Sequence, residues 1–446
     1  MSGRQLRPGE INIDKFELTN FSRSEAFATS IEEIAYEFSY YEDIFSPTIS
    51  ADIYMVDGIN LINDFPIIGE EDLFLSFGNP LNDELIDLNL RSYKVGERNS
   101  QSQRTLEYQI YFASENAILD PKTQVVSAFS GKISDIVTKF FPFVEIEPTD
   151  GLFKYVGNSM TRFETMAILA REAKSQNNLS SSYLFYETSE GYHFVTLEYL
   201  FEKPTAQTYY YILSNANRDD AEIKDDLIIS QLEYIKSNDL IEGMRNGLYG
   251  NTTSAIDLIR KTYNSRTFDY FGGGFDKTKH IPESPSRLQP NFRGQVGGPY
   301  VSFARDSSPA NEKYFVSDLN DVADIEYIKE YDPSTNNFGR RRHIFSGVET
   351  SLRSQMKSIA VRIAIPGDST RHAGDIIELK IPENNPSNEG LREYDKYLSG
   401  RFLVTNVRHG MKSNREYVTV MECVKDSFED EIRSNLERGV ELLLDD

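Results

Sequence analysis

The sequence predicts a mainly β protein with α+β inserts, built as two related antiparallel β-barrels of which the second is interrupted in sequence. Three observations carry that expectation. Short segments of alternating apolar and polar residues, bounded by Gly, Pro and Asn, fill the first ~115 residues and return near the C-terminus. The aromatics are 28 Phe and 26 Tyr with no Trp, a set that suits pleated sheets. The two strand-rich ends also follow a common order of strands and glycines.

Composition narrows the function. The 446 residues leave room for about three domains at roughly 150 residues each. Lys and Arg number 47 against 70 Asp and Glu, a net charge of −23. That balance argues against a dedicated duplex-DNA binder, which must neutralise phosphates, and against docking on anionic lipid. An apolar fraction of 39% is too rich for a disordered acidic chain. The single cysteine, Cys423, excludes an internal disulfide framework and a multi-cysteine zinc site, so a reducing compartment is expected. Met1-Ser2-Gly3-Arg4-Gln5 leads into polar residues rather than a signal-peptide core. The run Phe140-Phe141-Pro142-Phe143-Val144 is far short of the ~20 residues of a membrane span. The expectation is a soluble chain without the usual export signal.

The elements follow in order. Ile13, Phe16 and Leu18 open an extended segment. Beyond the acid-aromatic stretch around Tyr40 and Tyr41, Ile49, Ala51, Ile53 and Met55 alternate with Ser50, Asp52 and Tyr54. Leu73-Leu75-Phe77, Ile86-Leu88-Leu90 and Leu106-Tyr108-Ile110-Phe112 repeat the period, with turns at Gly78-Asn79-Pro80 and Gly96-Glu97-Arg98-Asn99. From about Gln124 the period becomes helical. Ser130 is positioned to cap a helix through Ile133, Ile136, Val137 and Phe140, and a second helix runs from Thr161 through Phe163, Met166, Leu169 and Ala170. A hairpin pairs Tyr183-Phe185 with His193-Val195-Leu197 across Ser189-Glu190-Gly191, which completes a small α+β insert.

Strands resume at Tyr209-Tyr211 and Ile229-Leu232-Tyr234. A Gly- and Pro-rich stretch occupies 272–345, with helical character at Asp321–Tyr331, and a helix lies near Ser346–Lys357. Four strands follow, at Ile359–Ile365, Ile376–Ile381, Phe402–Val407 and Tyr417–Met421. Ser427–Leu444 then sets Phe428, Ile432, Leu436, Val440 and Leu443 on one helical stripe, with Asp430 three residues after the cap Ser427. The stripe is the candidate partner interface, on the chain's own barrel or on another chain. The resulting organisation is a first barrel at 10–120, an α+β insert at 121–206, a second barrel at 207–271 and 346–426 split by the loop-rich 272–345, and the C-terminal helix at 427–446.

The repeat is visible in particulars. Ala51–Gly58 parallels Ala360–Gly367, and Gly69–Leu75 parallels Gly374–Leu379. Ile86–Tyr111 has a counterpart in Arg401–Glu422, and Ile13–Leu18 matches Ile229–Tyr234 in phase.

Catalytic motifs are absent. There is no His-Glu-x-x-His, no Gly-x-Ser-x-Gly and no phosphate loop, since Gly272-Gly273-Gly274-Phe275 lacks the following Lys and helix and is expected to be a mobile loop. Asp318-Leu319-Asn320-Asp321 begins like a calcium loop without its sixth-position glycine. His193, His280, His343, His372 and His409 have no metal-ligand spacing. Glu70-Glu71-Asp72 and Glu429-Asp430-Glu431 are expected to be solvated turn and helix-start charges. Arg340-Arg341-Arg342-His343, a basic cluster, is expected to be an exposed segment before a helix. No catalytic, cofactor or metal site is expected.

Two adjacent strands carry a resemblance. Tyr397-Leu398-Ser399-Gly400-Arg401-Phe402-Leu403-Val404-Thr405-Asn406-Val407-Arg408-His409, followed by Tyr417–Met421 and Glu422-Cys423-Val424-Lys425-Asp426-Ser427, resembles the baseplate central hub proteins of contractile-tailed, T-even-like phages. That family is similar in fold to the N-terminal part of type VI secretion spike proteins. The resemblance implies a structural virion protein of the tail baseplate, assembled in the host cytoplasm. It implies a homotrimer adapting a six-fold tail tube to a three-fold central spike. The partners implied are the tail tube protein, the central spike protein, and other baseplate and tape-measure proteins. DNA would pass through without specific binding, no membrane is involved, and no enzyme activity or cofactor is expected. Two other classes stay open: a β-rich carbohydrate-binding tail adhesin, for which the loops near Tyr300 and Tyr314 offer aromatic platforms, and a hydrolase. Purified protein is expected to leave peptidoglycan, peptides and nucleic acids uncleaved above background. Turnover abolished by one carboxylate change, such as Glu71→Gln, would overturn that expectation.

Overall fold

Ala51, Ile53 and Met55 are buried on one face of a strand while Asp52 and Tyr54 lie part-exposed on the other, and this period-2 pattern organises the molecule. The computed structural model describes residues 8–23, 25–65, 67–81, 84–96, 98–102, 105–178, 181–212, 223–258, 261–287, 311–316, 342–383, 394–412 and 415–429. The first lobe holds β1 (Asn12–Arg23), β2 (Glu25–Ser30), β3 (Ala35–Asp43), β4 (Ser50–Asp57), the short α1 (Leu61–Asp64), β5 (Asp72–Gly78), β6 (Leu85–Val95), β7 (Asn99–Ser102), β8 (Thr105–Ser114) and α2 (Glu115–Leu119). Their inward faces bury Leu18, Phe38, Ile53, Leu73, Leu88 and Ile110 in one core.

The α+β insert follows. It contains β9 (Gln124–Val125), β10 (Ala128–Gly131), α3 (Ile133–Val137), β11 (Phe143–Ile146), β12 (Phe153–Val156), β13 (Met160–Thr161), α4 (Arg162–Glu172), β14 (Tyr183–Thr188), β15 (Gly191–Thr196) and α5 (Leu197–Phe201). α4 starts where the sequence placed it, because the Thr161 hydroxyl accepts from the Glu164 N–H while the Glu164 carboxylate accepts from the Thr161 N–H. Ser130 does not cap α3; it lies in β10, and Lys132 holds the cap position. β14 and β15 form the expected hairpin, with Phe185 opposite Phe194. Ile136, Met166, Leu169 and Phe194 build a separate core beneath it.

The second lobe comprises β16 (Thr205–Tyr211), β17 (Ile228–Ile229), β18 (Gln231–Lys236), α6 (Leu240–Arg245), β19 (Gly250–Asp257), β20 (Thr262–Asp269), β21 (Asn311–Val316), α7 (Arg342–Gln355), β22 (Ile359–Pro366), β23 (Ile376–Lys380), β24 (Gly400–Lys412) and β25 (Tyr417–Lys425). Strand order across the first lobe is β3-β4-β8-β6-β5-β1-β2. Across the second it is β18-β22-β25-β24-β23-β16-β17. The two series match strand for strand both in space and in chain order. The fold is therefore duplicated. Gly69 and Gly374, which precede the matched β5 and β23, both have φ of 96°, a conformation that favours glycine.

The lobes are halves of one 15-stranded sheet, and no sheet closes on itself among the described residues. Four expectations need correction. Pairing is not wholly antiparallel, since β16 runs parallel to both β17 and β23. The repeat alignment is one residue out of register. Ala51 and Val361, not Ala360, hold equivalent inward positions opposite Phe112 and Cys423, and a one-residue slip in a strand turns every side chain to the other face. β18 also occupies the place of β3 rather than that of β1. Finally, β19 and β20, inside the stretch expected to start the second barrel, leave the large sheet and form their own with β21.

The lobes interlock. Residues Asn406–Lys412 of β24 pair antiparallel with β3. Met411 and Tyr417 of the second lobe are buried in the first core, and Ile44 of the first is buried in the second. Each such side chain contributes about 1.5–3 kcal/mol by burial. Gly367 sits at this seam, its N–H donating to the Tyr417 carbonyl and its carbonyl accepting from the Asn79 side chain. A Cβ at Gly367 would collide with the Tyr417 ring. Gly367→Ala is expected to cost about 1–3 kcal/mol of overpacking. Thermal unfolding checks this, and an unchanged Tm would refute the seam as described.

Candidate functional site: the buried lobe junction and the exposed edges

Phe38, Tyr40 and Glu42 share the inward face of β3, so the alternation that buries two aromatics also carries a carboxylate into the interior. Glu42 is fully buried. Burial demands that its oxygens be satisfied, and donors arrive from three modules. From the first lobe, the Tyr40 hydroxyl donates at 2.7 Å. From the turn of the insert hairpin, the Ser189 N–H donates at 2.9 Å. From the second lobe, His372 Nδ1 lies at 3.2 Å and the Ala373 N–H donates at 2.9 Å.

The electrostatics follow from these contacts. Burial pushes the Glu42 carboxyl up, but the charge and hydrogen bond of His372 outweigh it and bring the pKa down to about 2. Burial pushes His372 down, and the Glu42 charge and hydrogen bond carry it up to about 9. The junction therefore holds an ion pair at neutral pH. His409 behaves oppositely. Burial drives its pKa down to about 4. Its Nε2 faces the Arg371 carbonyl at 3.2 Å and must donate there, so Nδ1 accepts from the Tyr417 hydroxyl at 2.7 Å. His409 is neutral and stacks on Tyr40, with centroids 5.8 Å apart. Nearby, Glu187 accepts from the Ile49 N–H at 3.2 Å, and burial raises its pKa to about 7.

A second buried pair closes the far end of the second lobe. His280 Nδ1 lies 2.6 Å from Asp426, whose other oxygen accepts from the Ile281 N–H. Burial alone would lower the His280 pKa, but the hydrogen bond and charge of Asp426 raise it above the ordinary histidine value. Lys425 is buried and donates to the Ser399 carbonyl at 2.7 Å. The Lys425-Asp426 segment, on which the sequence resemblance partly rests, is thus structural.

Of the predicted interface residues, only Phe428 falls among the described ones. It does not begin a helix. Its backbone bridges Ser286, and its ring packs against Tyr397 at 5.3 Å in the second core, because paired backbone there satisfies groups that a helix start would leave open. Ile432, Leu436, Val440 and Leu443 lie outside the described residues, as do Asp318–Tyr331 and Tyr300.

Other expectations shift. Glu71 is buried rather than solvated, accepting from the Ile68 and Gly69 N–H groups and the Ser92 hydroxyl, and Asp72 pairs with Arg91. A Glu71→Gln assay consequently needs a folding control. Gly272-Gly273-Gly274 forms a tight turn capped by the Asp269 carboxylate, with Gly273 at φ 100°. α7 begins at Arg342, so part of the basic cluster is helical. Among the described residues no cluster of three or more His, Cys, Asp or Glu is arranged to hold a metal ion. No described helix is long and apolar enough to cross a membrane.

The sequence reading missed the convergence of Glu42, His372 and His409, which are far apart in the chain. One signal was available: Glu42 continues the inward series Phe38, Tyr40.

No family model and no curated protein matches the sequence. Solved structures do. The tail protein from Neisseria meningitidis MC58 is 9% identical, with a TM-score of 0.51 over 92% of this chain and 97% of that one. The 43 kDa tail protein of prophage MuSo2 from Shewanella oneidensis is 12% identical, with a TM-score of 0.49 over 93% and 100%. An E. coli component of the type VI secretion system, described as structurally similar to T4 bacteriophage tail proteins, is 10% identical, with a TM-score of 0.41 over 96% and 80%. The likeness is one of fold: this chain has a tail-protein fold.

The junction makes a pH-dependent prediction. Glu42 ionises at about 2 in the folded chain against an ordinary 4.5, so its contribution is complete above pH 4.5 and lost as pH falls toward 2. His372 titrates at about 9 against an ordinary 6.5, so its contribution is complete below pH 6.5 and lost as pH rises through 9. Glu42→Gln is expected to cost up to about 3 kcal/mol by leaving the part-buried His372 charge without its partner. The deficit, measured by denaturant unfolding, should be largest between about pH 4.5 and 6.5 and narrow on both sides. A deficit independent of pH would refute the ion pair.

Proposed function

We propose that this chain is a structural baseplate hub of a phage-type tail, acting as a homotrimer that adapts a six-fold tail tube to a three-fold central spike. The observation that carries the reading is the duplicated seven-strand order, with one lobe joined to the next by strand pairing. Three chains supply six similar lobes. A ring of them meets a six-fold partner through its repeated lobes and a three-fold partner through its chains. The tail-protein fold supports the setting.

The charge fits the same reading. With a net −23, a channel through such a ring repels the phosphates of passing DNA rather than retaining them. A structural role also accords with the contacts of the buried ionisable groups: Glu42, His372 and Asp426 hold modules together, and Lys425 ties the start of β24 to the end of β25.

Light scattering at micromolar concentration is expected to give about three times the 51.0 kDa chain mass. Negative-stain images should show a lobed ring with a central hole. A species that stays monomeric alone and with its spike partner sinks the proposal, and specific glycan binding by that monomer would favour an adhesin.

A further inference from the structure

The insert hairpin meets the first lobe through two carboxylates that differ in what surrounds them. Glu42 of β3 has four donors, and its charge faces His372. Glu187 of β14 is buried as well, at 9% exposure, and accepts one hydrogen bond, from the Ile49 N–H of the first lobe at 3.2 Å. The Ser114 hydroxyl at the end of β8 and the Tyr192 hydroxyl of β15 also face it. A hydroxyl can serve either a carboxylate or a carboxylic acid, so the charges nearby decide which form is held.

Those charges offer no counter-ion. Glu42 is ionised, and Tyr40 beside it donates to Glu42. His372 is bonded to Glu42 and faces the Ser189 hydroxyl at 3.4 Å. Within the insert, His193 of β15 pairs with Glu145 at 3.1 Å, and Arg162 of α4 donates to Thr123 and Asn116. Glu115 of α2 and Glu190 of the hairpin turn are exposed acids. No cation is bonded to Glu187 among the described residues. Burial and the Glu42 charge both favour its neutral form, and its pKa rises to about 7.

We infer that Glu187 is a pH-sensitive latch between the insert and the first lobe: the hairpin docks with this carboxyl protonated, and loss of the proton loosens the contact. When the hairpin opens, Glu187 returns to water and to its ordinary 4.5. Docking therefore takes up a proton between pH 4.5 and about 7. The latch is complete below that window, weakens by roughly tenfold per pH unit across it, and levels off above it, where the docked group is ionised too. Glu42 stays ionised throughout, so the Ser189 N–H holds the turn at every pH in the window. Glu187 sets how tightly the strand behind that turn lies against Ile49. The latch is independent of oligomeric state and of the hub reading.

Amide exchange on the full chain reads the latch at its own bond, the Ile49 N–H, and along β14 and β15. Protection there, corrected for the intrinsic pH dependence of exchange, should fall by roughly tenfold or more between about pH 5 and 7 and change little from about 7 to 8. Amides of the β1–β5 pair, on the far side of the first lobe, should hold constant. Glu187→Gln keeps a neutral acceptor of the same shape and should retain the low-pH protection at every pH. Flat protection in the unaltered chain overturns the inference, as does an equal fall at β1–β5. An unchanged slope in the Gln variant overturns it too. The first two outcomes need no variant, so the test stands even where Glu187→Gln does not fold.

Discussion

A carboxylate with no access to water fixes the arrangement of this molecule. Glu42 is ionised in the interior, and its four donors come from the first lobe, the insert and the second lobe. Moving any one module away would strand a buried charge, a penalty of several kcal/mol per ion. Apolar packing alone tolerates sliding, since it is non-directional. The hydrogen bonds to Glu42 do not. They select one relative placement of the three modules, and the strand pairing of β24 with β3 extends that placement across the sheet.

Most of the strands were legible because each buries one face, and a half-buried strand must alternate. Leu73-Leu75-Phe77 and Ile359-Val361-Ile363-Ile365 announced β5 and β22 directly. α4 was legible through Thr161 and Glu164, whose side chains satisfy backbone donors at its start. The register of the repeat follows the inward series, Ala51-Ile53-Met55 against Val361-Ile363-Ile365, and not residue identity, which pairs the inward Ala51 with the outward Ala360. The junction was hidden for a different reason. Glu42, His372 and His409 meet through pairings between residues hundreds of positions apart, and no local pattern encodes those.

Duplication explains where the chain tolerates additions. Between β3 and β4 the first lobe spends residues 44–49, whereas the matching connection from β18 to β22 spans residues 237–358 and includes the β19–β20–β21 sheet and α7. The entropy of closing a loop grows only logarithmically with its length, so one lobe can carry a large insertion at a site where its twin makes a tight turn. The inserted part is secured by interactions of its own: Ser351 donates to the Leu248 carbonyl, and Asn251 donates to the carbonyls of Gly247 and Gly347. Its middle is held to the residue that follows β25 by the His280–Asp426 pair.

The divergence of the lobes bears on the adaptor problem itself. Six identical lobes would present six equivalent sites everywhere and could not distinguish a three-fold partner from a six-fold one. In the hub reading the shared strand order supplies the six-fold repeat, while features borne by one lobe in each chain recur only three times around the ring. The α+β insert between the lobes and the 237–358 connection are such features, as is the parallel β16 where the first lobe has the antiparallel β1. Symmetry reduction then needs no separate adaptor element. It follows from attaching different insertions to two copies of one fold and holding those copies in a fixed relation, which is the task that the buried Glu42 network performs.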